Sequence, residues 1–534
     1  MRPRTTRSRV AVFVAVLSLL SGLSAVGLAG RAQAETKVTI SQVTLGNVFV
    51  AGQTPSIRVR TTAGEVKWSA FNFEGKRVKC RKYEMPAGDA AEIPLPIEAA
   101  GFYEVRVAAD GKCGDAADKT TMALLPRPAE PVDDGFTYSM QGQFSKGWST
   151  EIIPLMTKAG VEAVRDAQVW KDIARVDDDT GEVTYDFSGK YQNYMDRLKD
   201  AGIEPHIGLG LSHPDYAEGC TPDTPRAQEA FGRFAQEVVN HYRGQVKTVG
   251  VYNEPNRKKD TDKCGDQGRP GLHAQIAREV YEAVDRARYP ADVTAPELAE
   301  GTPEVPEVID DWLTTYVERG GLEHLDVVSV HSYRPKNGPD GPTPEGPEPE
   351  GLGEEQIAPV RDLLEDNGAG GKPIWITEMG WQSANLDDKE KEQARYLTRA
   401  HVLAMHAGVP RFNWYYFMDS QSPPRTFGLI SNRPNDEPDR YTPKPSYVAY
   451  GVMTAQLSGL SHDSRDGGTP EAVHSHLFTG GAEPVRVMWR EKGSQVVLTA
   501  DAPVQVTDMM GRTQTFRPNP NGQVRLQCRL VTNG

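Results

Sequence analysis

The apolar positions of this chain change rhythm twice. Short runs rich in β-branched and aromatic residues at 37–43, 56–61, 66–72 and 102–108 alternate partially with polar positions and are separated by Gly, Pro and Asp. That is the pattern of half-buried strands, and its spacing predicts a β-sandwich of immunoglobulin type over residues 36–125. The clustered prolines of Pro126-Arg127-Pro128-Ala129-Glu130-Pro131 predict a linker. From residue 132 to about 460 apolar strands alternate with amphipathic segments, as in a (β/α)8 barrel. Strands are expected at 136–140, 161–165, 204–209, 246–253, 292–295, 325–331, 373–378 and 411–417. Between them Leu272, Ile276, Val280 and Val284 recur every four residues, and 390–407 sets Tyr396, Leu397, Ala400, Val402, Leu403 and Met405 among charges. Each is the buried stripe of a helix. An open doubly wound sheet is the alternative, but no Gly-rich phosphate loop favours it. Beyond residue 465 short strands return at 485–489, 495–500, 504–508 and 523–528. They predict a second small β domain, over 465–534, packed on the barrel.

Length and composition agree with this architecture. A chain of 534 residues suggests two to four domains, and 38% hydrophobic with 25% charged residues is a globular balance. The net charge of −13 argues against nucleic acid and anionic membranes as partners. It hints that the substrate is not strongly polyanionic, although a local basic cleft could override the sum. Arg2, Arg4, Arg7 and Arg9 precede an apolar stretch at 10–30 that ends in Ala32-Gln33-Ala34. Residues 1–34 therefore read as a signal peptide of a secreted, extracellular protein, with an uncleaved anchor as the alternative. Export permits disulfides, and the expected pairs are Cys80–Cys113 and Cys220–Cys264, with Cys528 free. No two of the five cysteines have zinc-site spacing, so no metal or cofactor is expected.

The chemistry gathers at strand ends. Thr248-Val249-Gly250-Val251 runs into Asn253-Glu254-Pro255, and Pro373-Ile374-Trp375-Ile376-Thr377 runs into Glu378. Two carboxylates at the tips of barrel strands suit glycosidic bond cleavage, one protonating the leaving oxygen and the other attacking or activating water. Burial should raise the pKa of Glu254, as a general acid requires. Asn253 beside it could hold a sugar hydroxyl. The strand ending in His331-Ser332-Tyr333 supplies a tyrosine able to donate to the second carboxylate and keep it ionised. His213 and Trp381 are candidate sugar contacts, with a core role as the alternative for each. The Pro-, Gly- and acid-rich stretch 335–353 is a loop insertion that would project from the catalytic face.

Together Asn253-Glu254-Pro255, Glu378, His331 and Tyr333, with Phe427-Gly428-Leu429 and Pro443-Lys444-Pro445-Ser446-Tyr447, resemble the clan A retaining glycoside hydrolases. The layout is most similar to glycoside hydrolase family 39, from residue 135 to about 460. The resemblance implies Glu254 as acid/base, Glu378 as nucleophile and Asn253 as a ligand of the 2-hydroxyl. It also implies that Arg165 holds the nucleophile anionic and that Trp414 floors the sugar site. The implied mechanism is double displacement, with carboxyl groups roughly 5–5.5 Å apart rather than the ~6.5–9.5 Å of inverting enzymes. The insertion and the N-terminal β domain depart from the family's xylosidases, so no substrate is carried over. Transglycosylation through the same intermediate, or carbohydrate binding without turnover, are the rival readings.

Overall fold

A computed structural model describes residues 37–86, 90–109, 111–130, 135–210, 212–257, 264–300, 311–333, 352–384, 387–421, 424–433, 440–466, 473–490 and 494–528. The signal peptide read at 1–34, the 335–353 insertion up to residue 351 and the side chain of Cys528 lie outside the described residues. Lys37–Gly534 is one compact unit.

Eight parallel strands close into a barrel: Thr137–Gln141, Ala163–Val169, Glu204–Gly210, Thr248–Gly250, Asp292–Glu300, Val327–Ser332, Ile374–Met379 and Arg411–Trp414. The last pairs with the first, Phe412 beside Tyr138, which seals the sheet and leaves no open edge. Helices cover the outside, so a strand is shielded from water on both faces and can be apolar throughout. Val327–Ser332 and Ile374–Met379 are indeed buried at every position. Both expected helical stripes face inward, on Pro270–Asp285 and Asp387–His406.

Two of the boundaries that differ from the sequence reading shape the site. Strand four stops at Gly250, and after Val251 donates across to the Thr294 carbonyl the chain turns at Glu254, whose φ is +52°. Strand five runs on through Pro296 to Glu300, because a shift in register between Pro296 and Leu298 absorbs the residue that cannot donate.

The N-terminal region is a two-layer sandwich, a three-stranded sheet against a five-stranded one. Ile57, Val59, Val66, Trp68, Ile93 and Val105 fill its interior. Its last strand, Asp118–Leu125, also faces the barrel: Leu125 meets the helix Pro445–Leu457 at Gly451, and Thr121 donates to the Pro443 carbonyl. That helix is thus apolar almost all round, as a helix wedged between two layers must be. The C-terminal strands form small antiparallel sheets. Met510 and Gly511 reach the seam between sandwich and barrel, and Arg512 pairs with Glu74. The two expected disulfides, Cys80–Cys113 and Cys220–Cys264, are both present. Among the described residues no helix is long and apolar enough to cross a membrane.

After strand eight, the buried Lys444 ammonium lies 3.1 Å from the Asp419 carboxylate, which also accepts from the Gly428 amide. This pair fixes the segment that carries Phe427. Lys444→Met leaves a buried carboxylate without its cation and is expected to cost about 3–5 kcal/mol, measured by urea unfolding.

Candidate active site

Everything at the carboxyl end of the barrel converges on Arg165, on strand two. Its guanidinium is buried and donates to four acceptors: Gln141 Oε1 at 2.7 Å, and Glu378 Oε1, Asn253 Oδ1 and Glu297 Oε2 at 2.8 Å each. Burial alone would drive the charge off, but Glu297 and Glu378 outweigh it and hold the guanidinium firmly protonated. The next residue, Asp166, accepts from the amides of Phe144 and Ser145 and so holds the turn leading to Trp148.

Glu378, the penultimate residue of strand seven, has both oxygens engaged. Oε1 accepts from Arg165, and Oε2 accepts from the Tyr333 hydroxyl at 3.1 Å. Burial, then the neighbouring Glu378 charge, push the Tyr333 hydroxyl well above its ordinary pKa, so it stays a donor. Donation to both oxygens fixes the plane of the Glu378 carboxylate.

Glu254 sits opposite. Its amide donates to the Glu297 carbonyl at 3.0 Å. His331 Nδ1 lies 3.0 Å from its Oε1 and 3.7 Å from Glu378 Oε2, while Arg257 donates to Oε2 at 2.9 Å. One carboxylate oxygen of each glutamate and a ring nitrogen of His331 all lie within 4.8 Å of one another. The expected rise in the pKa of Glu254 is not found. Burial does push it up, but the hydrogen bond and charge of His331 and the Arg257 guanidinium prevail and bring it to about 2.

Glu297 was missed from the sequence. It is fully buried, bound by Arg165 and faced by the Thr294 hydroxyl at 3.4 Å and His206 Nε2 at 3.6 Å. Ala-Pro-Glu after an apolar strand carried the same signal as the other two strand tips, but Pro296 made the strand look finished. Its carboxylate also explains Gly250, where any Cβ would strike it.

The cleft over these groups measures about 980 Å³, the upper end of the ~300–1,000 Å³ of small-molecule sites. Trp148, Tyr333, Tyr415, Tyr416 and Phe427 give it an aromatic wall. Tyr415 and Tyr416 stack at 3.8 Å, and Arg425 donates to the Tyr415 hydroxyl at 2.8 Å. Lys146, Arg257, Arg425 and Arg440 also line the cleft, so the chain's negative sum does not describe its site.

Of the assigned residues, Trp414, Trp381 and His213 lie away from the cleft. Arg165, Asn253, Tyr333 and the two glutamates line the cleft, and His331 lies buried between the glutamates. Trp414 does not floor it: the indole is fully buried, donates to the Phe427 carbonyl at 2.9 Å and packs on Trp381. The strand ends at Trp414, so the residues that turn into the cleft are Tyr415 and Tyr416. Trp381 is itself buried against Tyr396 and Trp414. His213 is buried beside Trp170, with Nε2 3.3 Å from the Ala174 carbonyl. For these two the core alternative describes the structure.

Residues 226–435 match the family model described as glycosyl hydrolase catalytic core, a span that includes Asn253, Glu254, Glu297, His331, Tyr333, Glu378 and Tyr415. No curated protein matches the sequence. Among solved structures the chain is similar to a family 39 glycoside hydrolase from the gut symbiont Bacteroides cellulosilyticus WH2. The two are 19% identical with a TM-score of 0.68, over 91% of this chain and 98% of that one. A family 39 enzyme from Xanthomonas axonopodis pv. citri is 13% identical with a TM-score of 0.50, over 75% of this chain and 92% of that one. At these identities the likeness is one of fold. The chain therefore carries a glycosyl hydrolase catalytic core, the core of a glycosidase, on a barrel similar in fold to glycoside hydrolase family 39.

Proposed function

We propose that the protein is a secreted, retaining glycoside hydrolase that cleaves an oligo- or polysaccharide by double displacement. The observation that carries this reading is the approach of one oxygen from each of Glu254 and Glu378 to within 4.8 Å. That closeness suits direct attack, which goes with carboxyl groups about 5–5.5 Å apart, and leaves little room for the water of an inverting pair at ~6.5–9.5 Å.

In this reading Glu378, oriented by Arg165 and Tyr333, attacks the anomeric carbon. Glu254 gives a proton to the departing glycosidic oxygen, and a covalent glycosyl-enzyme forms. Water then enters, Glu254 takes its proton, and the sugar leaves with its configuration retained. The amide NH2 of Asn253 is left to donate to a sugar hydroxyl, since its oxygen is taken by Arg165. The stacked Tyr415 and Tyr416 with Trp148 offer ring faces to the sugar. The size of the cleft favours a chain of sugars over a single ring, and the two disulfides favour an exported protein.

Glu254 needs its proton back before it can act as an acid. Arg257, whose side chain is 41% exposed, is one of the charges that hold the Glu254 carboxyl low. A sugar displacing that guanidinium would favour protonation of Glu254.

The deciding assay releases reducing ends from a panel of polysaccharides and aryl glycosides. Activity in the parent that vanishes in Glu378→Ala supports the assignment; equal activity in both refutes it. Glu254→Gln should lower kcat by about 10²–10⁴-fold, least for aryl glycosides whose leaving group needs no proton. Arg257→Met removes a charge that holds Glu254 low, so the pKa of the acid rises. The alkaline limb of kcat/KM should move to higher pH, and a limb that stays put or moves down would contradict this role for Arg257.

A further inference from the structure

A second cluster of titratable groups lies where the C-terminal sheet meets the barrel. His406 is the last residue of the helix Asp387–His406, His462 lies on the strand Ser461–Arg465, and His476 on Val473–Thr479. Their ring centroids are 4.8, 5.0 and 5.3 Å apart, and one ring nitrogen from each lies within 4.8 Å of the other two. His462 Nε2 and His476 Nδ1 are 3.1 Å apart. None of the three lines the catalytic cleft.

Two features make this more than a packing of rings. His476 is fully buried, and its Nδ1 is the ring nitrogen turned toward His462. Its ring also lies parallel to Trp489, within 4° at 5.2 Å, which fixes its orientation. His406 by contrast is exposed at a helix C-terminus, the end whose free carbonyls favour a cation. Among nearby charges, Glu354 and Asp463 favour a cation and Arg465 opposes one.

We propose that His406, His462 and His476 form a site for a divalent transition-metal ion of the zinc class, which ties the C-terminal β-sheet to a barrel helix. Imidazole is a ligand for zinc, copper and nickel rather than magnesium or calcium. Three histidines leave a fourth position open on the exposed side for water. Ligand nitrogens around tetrahedral zinc stand about 3.3 Å apart at Zn–N distances of about 2.0–2.1 Å. The His462–His476 pair is already near that separation, and the exposed His406 has room to close the remainder.

The test is calorimetric titration of the full chain with Zn²⁺, alongside thermal unfolding with and without the ion. Glu254, His331 and Glu378 also bring three ligand atoms together, so Glu254→Gln serves as the control. One-to-one binding is expected in the parent and in Glu254→Gln, with a rise in Tm in each. His406→Ala, at an exposed position, and His462→Ala should each weaken binding by about 10–100-fold or more, the range lost on removing even an outer partner of a metal site. No Zn²⁺ binding in the parent, binding unchanged in both histidine variants, or binding lost only in Glu254→Gln would each overturn the site.

Discussion

One buried guanidinium organises the carboxyl end of this barrel. Arg165 reaches from strand two to groups on strands one, five and seven and to the loop after strand four. Desolvating a charge costs several kcal/mol, and here the cost is offset only because two carboxylates and two amide oxygens meet it at hydrogen-bond distance. The spacing is therefore shared: moving any one acceptor strains the others. Glu378 gains its orientation from this arrangement. Glu254 gains its position indirectly, through the backbone of Glu297, whose carboxylate Arg165 also holds.

The two glutamates of the cleft are thereby placed in unlike surroundings. Glu378 accepts from a fixed cation and a buried phenol. Glu254 faces His331 and also Arg257, whose side chain is partly in solvent. In the proposed double displacement the first setting orients the attacking carboxylate and the second serves the acid.

Much of the site was legible because barrel strands are apolar by necessity, so a carboxylate at the end of one stands out. That logic found Glu254 and Glu378, and with the resemblance Arg165. It missed Glu297, since a proline reads as the end of a strand unless a register shift accommodates it, and that shift is set by the neighbouring strand. Trp414 was assigned one residue early: four adjacent aromatics hide the point at which the strand leaves the sheet. Trp381 and His213 had equal claims to core and cleft until the helices packed over them. The pKa of Glu254 was not legible at all. Burial was visible in the apolar run, but His331 arrives from strand six and Arg257 folds back from the following turn, and these partners reverse the sign.

The central claim is that Glu378 attacks carbon directly, with the water arriving only afterwards. The most direct measurement follows hydrolysis of a substrate of defined anomeric configuration by proton NMR, watching the first hemiacetal before mutarotation. This account predicts that the first-formed product has the same anomeric configuration as the substrate. An inverted first product would contradict it, since it would place a water between the sugar and the carboxylate.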